Sequence, residues 1–252
     1  PQATMGVASS ALGSGLTAFW DNANTLDVVL TSGTLESRPA LDVLNGFNAA
    51  LVGEEIIQFT TAVLVADKTY RLSGLLRGRL GTEHKVASHG VGDRFILLSS
   101  ATLGRLTVPS SDWFQSRMYR VGPATLPMTH LLYQDRPITP QGVMALPLSP
   151  CHVKGVRDSS GNLTVTWIRR TRGDGSWKDF VDVPLGEKSE MYEIDVMNGE
   201  KVVRTLSATA PSVYYGATDQ ITDFGGVQSL IKVRIYQLSE TRGRGTKREE
   251  TI

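Results

Sequence analysis

The stretch Thr69-Tyr-Arg-Leu-Ser-Gly-Leu-Leu-Arg-Gly-Arg-Leu-Gly-Thr-Glu83 constrains the first half of the chain most strongly. Tyr70 and Leu72, with Leu75 beyond them, alternate with polar or glycine positions as a half-buried strand does, and Gly74, Gly78 and Gly81 interrupt any helix. The stretch therefore reads as a strand running into a glycine-punctuated turn. Arg77 and Arg79 stand two residues apart, so an extended backbone sends both guanidinium groups from the same face. Glu54, Glu55 and Glu83 are the nearby acids, and Arg suits a bidentate pair with a carboxylate. We expect a structural clamp formed by Arg77, Arg79 and Glu55. A phosphate cradle would need a helix after its glycines, and Glu83-His-Lys-Val-Ala-Ser-His-Gly90 is too short for one.

Short strands account for the rest of this region. Residues 25–30, 49–52, 55–59, 62–65, 69–75 and 95–98 are strand-like and divided by turn residues, while Ser37-Arg-Pro to Asn45-Gly46 suggests one short helix. A barrel-like β domain over 21–106 follows, with 1–20 as a small, glycine-rich linker or arm. Prolines 109, 123, 127, 137, 140 and 147 then forbid a long helix, so 107–147 reads as a proline-rich connector with one or two strands, one of them at 116–121.

The last part, 148–252, has the alternation of a fibronectin type III-like sandwich. Leu163-Thr-Val-Thr-Trp167, Tyr192-Glu-Ile-Asp-Val196, an Asn198-Gly199 hairpin turn and Leu230 to Tyr236 supply its strands. Trp167, Tyr192, Ile194, Val233 and Ile235 form its expected core, with Ile231, Val233 and Ile235 on the buried face of the last strand. Gly173 to Glu190 reads as an inserted loop. The fold class is thus all-β: barrel-like domain, connector, sandwich.

Leu75-Leu-Arg-Gly-Arg-Leu-Gly-Thr82, with Leu44 to Gly53 and Glu55-Ile-Ile-Gln-Phe59 before it, resembles the C-terminal portion of the large tail-tip protein of gene transfer agents and siphophages, the baseplate hub, "megatron" or host-specificity family. Leu148-Ser-Pro-Cys-His152, Trp167 to Arg172, Asp182 to Glu187 and Glu190-Met-Tyr192 extend the resemblance over most of the chain. It implies a virion structural protein at a tail tip, threefold in assembly, with baseplate, tail and fibre proteins and a host envelope polysaccharide or outer-membrane receptor as partners. It implies no catalytic residues here.

The composition carries no signal for other classes. A formal charge of +1 gives no broad field for nucleic acid, and one cysteine, Cys151, excludes an internal disulfide framework. No helical His-x-x-x-His pair or Gly-x-Ser-x-Gly elbow occurs, so we expect no catalytic residues, metal or cofactor. Adjacent Glu54 and Glu55 would point to opposite faces of a strand rather than converge on a glycosidic bond. The start at Pro1-Gln-Ala-Thr suggests a segment of a longer polypeptide. Arg169, Arg170 and Arg172, with loop aromatics Trp177 and Phe180, are candidates for surface contact, although the arginines have acids within reach in Asp179, Asp182 and Glu187. A polysaccharide-binding or hydrolytic module is the rival reading, which an exposed aromatic platform around Trp113, Trp177 or Tyr214-Tyr215 beside carboxylates would favour.

Overall fold

A computed structural model describes residues 2–87, 89–173 and 179–252. The chain is all-β. Strands β1 (Met5–Ala8), β2 (Leu26–Ser32), β3 (Ala49–Val52), β4 (Glu55–Ala66), β5 (Thr69–Arg79) and β6 (Arg94–Leu97) close into a six-stranded barrel in the order β1-β2-β5-β4-β3-β6, with α1 (Ala40–Leu44) between β2 and β3. Closure leaves no unpaired edge and lets one apolar face from each strand meet in the middle. Val28, Leu30, Ile57, Phe59, Leu72 and Phe95 are among the side chains that fill it.

Two expectations need correction here. The N-terminal segment is not a loose arm, because β1 pairs with both β2 and β6 and closes the barrel. Ala8 and Leu12 are buried, and a Cβ on Gly6 would sit 2.0 Å from the Val29 carbonyl oxygen, so glycine lets β1 lie against β2. Residues 55–59 and 62–65 also form a single strand, since Thr60 and Thr61 continue the pairing with β5 across polar side chains.

Residues 104–143 form a separate compact unit. Its regular structure is the hairpin of β7 (Arg117–Val121) and β8 (Gln134–Ile138), where Pro137 faces Met118. Within this unit Trp113 packs against Gly142, and Tyr133 packs against Gly122. None of its residues is buried, and Leu106, Met118, Met128, Leu131 and Leu132 are well exposed.

The sandwich belongs to the same compact unit as the barrel. One sheet runs β13-β10-β9, from β9 (Cys151–Arg157), β10 (Leu163–Ile168) and β13 (Ser212–Tyr215). The other holds β11 (Tyr192–Asn198), β12 (Lys201–Ala208), β14 (Lys232–Ser239), β15 (Gly243–Arg244) and β16 (Arg248–Thr251). This is the fibronectin type III-like arrangement of two antiparallel sheets, and the segment after β14 pairs back onto it as β15 and β16. Trp167 meets Tyr192 edge-on at 5.0 Å over a core that includes Ile194, Val233 and Ile235. The helix α2 (Ala217–Phe224) was not expected from the sequence. Buried Gln220 anchors it through Arg157 and the Gly161 carbonyl, and Asp223 through Arg204 and the Tyr215 hydroxyl.

Candidate functional site

Arg77 and Arg79 leave β5 in different directions. Ile56 faces Arg79 while Gln58 faces Leu76, so two steps along β4 match three along β5, and the extra residue is a β-bulge. Gly78 makes it possible: its φ is +62°, and a Cβ there would lie 2.7 Å from the Glu83 Cα. The bulge breaks strand alternation, which corrects the same-face expectation. Arg77 joins Glu55 in the inward-facing row of Ile57 and Phe59. Arg79 donates instead to Gln58, whose amide nitrogen reaches the carbonyls of Val43 and Phe47 beside α1.

Every N–H group of Arg77 has an acceptor. Nε and Nη2 form a bidentate pair with Glu55 at 2.9 Å each, Nη1 donates to the Gly13 carbonyl and to Asp21 Oδ2, and Nη2 also donates to the Val86 carbonyl. Glu55 accepts further hydrogen bonds from the Gly78 N–H and from His89 Nε2, while His89 Nδ1 faces Asp93 at 3.3 Å. With a carboxylate at each ring nitrogen, the imidazolium suits this position better than either neutral tautomer. The hydrogen bond to Glu55 is the main cause that raises the His89 pKa, against the effect of burial. Burial acts strongest on Glu55 and in the upward direction, yet the hydrogen bonds from His89 and Arg77 outweigh it and hold the carboxyl below its ordinary value.

Asp21 and His89 were not legible as clamp members. Asp21 lies far from Arg77 in sequence, and its visible signature is local: its carboxylate caps the turn by accepting from the N–H groups of Ala23 and Asn24. The other candidate acids go elsewhere. Glu54 pairs with Lys85 at the surface, and Glu83 turns toward the sandwich.

Glu83 makes the joint between barrel and sandwich. Its Oε1 accepts from Arg170 Nη1, and its Oε2 accepts from the Ser149 N–H at 2.8 Å. Arg170 also donates to the carbonyls of Ser149 and Thr17, both at 3.3 Å, and Phe19 meets the His152 ring edge-on at 5.7 Å. Arg170 is thus tied into this joint rather than displayed as a free surface contact. Arg169 pairs with Asp182 and Glu190, and Arg172 with Glu187 and the carbonyls of Met144 and Gly186. Phe180 is fully exposed, whereas Trp177 lies outside the described residues.

Among the described residues no group of three or more His, Cys, Asp or Glu side chains is placed to hold a metal ion. No described helix is long and apolar enough to cross a membrane. Trp113 is half-buried, Tyr215 is buried, and exposed Tyr214 borders a shallow cleft with Met191, Ser207, Thr209 and Ser212 and no carboxylate in its lining.

Residues 3–96 match the family model "Rcc01698-like, C-terminal". The matched span begins just before β1 and ends within β6, so it coincides with the barrel. No curated protein matches the chain. Among solved structures, the chain is similar to the rat CD45 extracellular region, domains d3-d4, at 12% identity over 62% of this chain and 71% of that one, with a TM-score of 0.32. It is also similar to the chicken CNTN1 FN1-FN3 domains, at 12% identity over 100% of this chain and 65% of that one, with a TM-score of 0.31.

Proposed function

We propose that this chain is a structural component of a phage-like tail tip or baseplate hub, where it supports host attachment and DNA delivery without catalysing a reaction. The observation that carries the reading is the family match over the barrel, because the matched name is associated with gene transfer agent proteins, which implies a virion-like particle. The motifs from Leu44 to Thr82 lie within that same span.

The physical character of the chain supports assembly. The buried ionic cluster around Arg77 is saturated by internal partners, as a scaffold requires, and leaves no free acid or base there to move a proton. A two-stranded hairpin is marginal in water by itself, and the unit 104–143 exposes large apolar side chains around one. Neighbouring subunits of the particle would cover them. In this reading the protein is a homotrimer around the tail axis, held by the barrel and by 104–143, with the sandwich presented to fibres or to the host envelope. Among the described residues, the cleft beside Tyr214 has no carboxylate in its lining, so it does not favour the polysaccharide-binding alternative.

Cryo-EM of the parent particle tests the reading: three copies with 104–143 covered by a neighbour are expected, and a single copy with this unit bare in the assembled tip would refute it. Incubation of the protein with host envelopes is expected to release no reducing sugar or peptide. Release abolished by changing one acid or histidine would overturn the non-catalytic assignment.

A further inference from the structure

Beside the joint lies a cleft of about 130 Å³ whose lining includes Arg77, Arg79, Arg170 and Arg172, with Glu83 as its acid. That volume holds several waters, and so one tetrahedral oxyanion. The four arginines do not stand alike. Arg77 forms part of the wall with all its donors used. Arg170 and Arg172 are held by Glu83 and Glu187 and by backbone carbonyls, so their guanidinium groups are fixed in place. Arg79 differs from all three: its Nε donates to a neutral amide, and among the described residues it has no carboxylate within ion-pair distance. Burial, and then the positive charge of Arg170, push the Arg79 pKa down, with Glu83 acting in the opposite direction. Three anchored cations around a fourth without a counterion make a preformed anion site, because the guanidinium fork matches oxyanion geometry and the cost of ordering is already met.

We propose that this cleft binds a phosphate group, with Arg79 as the principal ligand and Arg170 and Arg172 supporting it. The inference does not depend on the tail-tip reading. The phosphate could be the free ion or the phosphate of a phosphorylated sugar, and the cleft's recognition chemistry is the same for both.

The test is thermal unfolding of the whole chain at fixed ionic strength, titrated with inorganic phosphate, with glucose 1-phosphate and with sodium chloride as control. Stabilisation by a phosphate compound that grows with the logarithm of its concentration above Kd is expected, reaching roughly 5–10 °C at a hundredfold excess over Kd. Response to inorganic phosphate alone would identify the free ion, and a stronger response to glucose 1-phosphate would identify a sugar phosphate. Arg79→Met is expected to abolish the response. Because that variant also loses the bond to Gln58, Leu80→Glu provides a second arm: Leu80 is an exposed residue of the lining, and a carboxylate there would act as a built-in counterion and remove the phosphate effect while the chain stays folded. Phosphate stabilisation no greater than that of chloride, or an undiminished response in folded Leu80→Glu, would overturn the proposal.

Discussion

The barrel and the sandwich solve the same packing problem with different interiors. Beside its apolar core, the barrel buries an arginine, two carboxylates and a histidine, with the Arg77 and Glu55 side chains at 0% exposure. The sandwich core is an apolar and aromatic cluster from Trp167 and Tyr192 to Ile235, and its chain of ion pairs, Lys232 and Arg234 with Glu200 and Glu249, lies toward solvent. A buried ion network stabilises little over an apolar substitute, yet losing one member leaves charges stranded. What it supplies is register: the Glu55 carboxylate holds the bulge open through the Gly78 N–H, while Arg77 ties β5 to the segments at Gly13, Asp21 and Val86. The bulge in turn releases Arg79 toward the cleft. An apolar core tolerates imprecision that this network does not.

The sharpest way to break the contrast is Arg77→Met. It strands Glu55 and Asp21, and we expect a loss of about 3–5 kcal/mol in urea unfolding, with hydrogen exchange rising first over 55–79. Adding Glu55→Leu to it should recover part of that loss. If the single variant unfolds with the parental midpoint, the cluster is not what holds the barrel.

Ile235→Ala probes the other interior. Ile235 is fully buried between β11 and β16, and the cavity should cost about 2–4 kcal/mol, with exchange rising over the sandwich strands rather than the barrel. A loss spread equally over both would show that the two cores unfold as one.

Acidity separates the regions further. The His89 pKa is raised above its ordinary 6.5, so its contribution is complete below that value and is lost as pH rises through the higher folded pKa. Glu55 is held below its ordinary 4.5, so its contribution is present above that value and is lost as pH falls through the lower folded pKa. The barrel should therefore be most robust between these two ordinary values. His89→Gln should flatten the decline on the alkaline side, as read by exchange rates across a pH series. An unchanged profile would remove the histidine from the network.

The smallest effect is expected at the sandwich surface. Glu200 is mostly exposed and shares Lys232 and Arg234 with Glu249, so Glu200→Gln should leave the urea midpoint nearly where it was. A large shift would mean that the sandwich too depends on its charges.

The all-β class, most strands of the barrel and sandwich, and the buried faces of β10, β11 and β14 were legible in the chain, because alternation with period two records directly which side of a strand meets a core. The sequence also singled out Arg77 and Glu55 as a pair worth testing. It misread β1, whose glycine and small residues look like a linker until two neighbouring strands close around them. It gave no sign of α2, where few side chains are buried and the helix is held by Gln220 and Asp223 reaching distant partners. The bulge at Gly78, the part of Asp21 and His89 in the clamp, the pairing of Glu83 with Arg170 and the turn of Arg79 toward a cleft emerge only once the strands are packed. The difference is one of range: periodicity reports the half-buried geometry of one strand, whereas an ion pair or a barrel closure joins residues tens of positions apart through a register that no single segment carries.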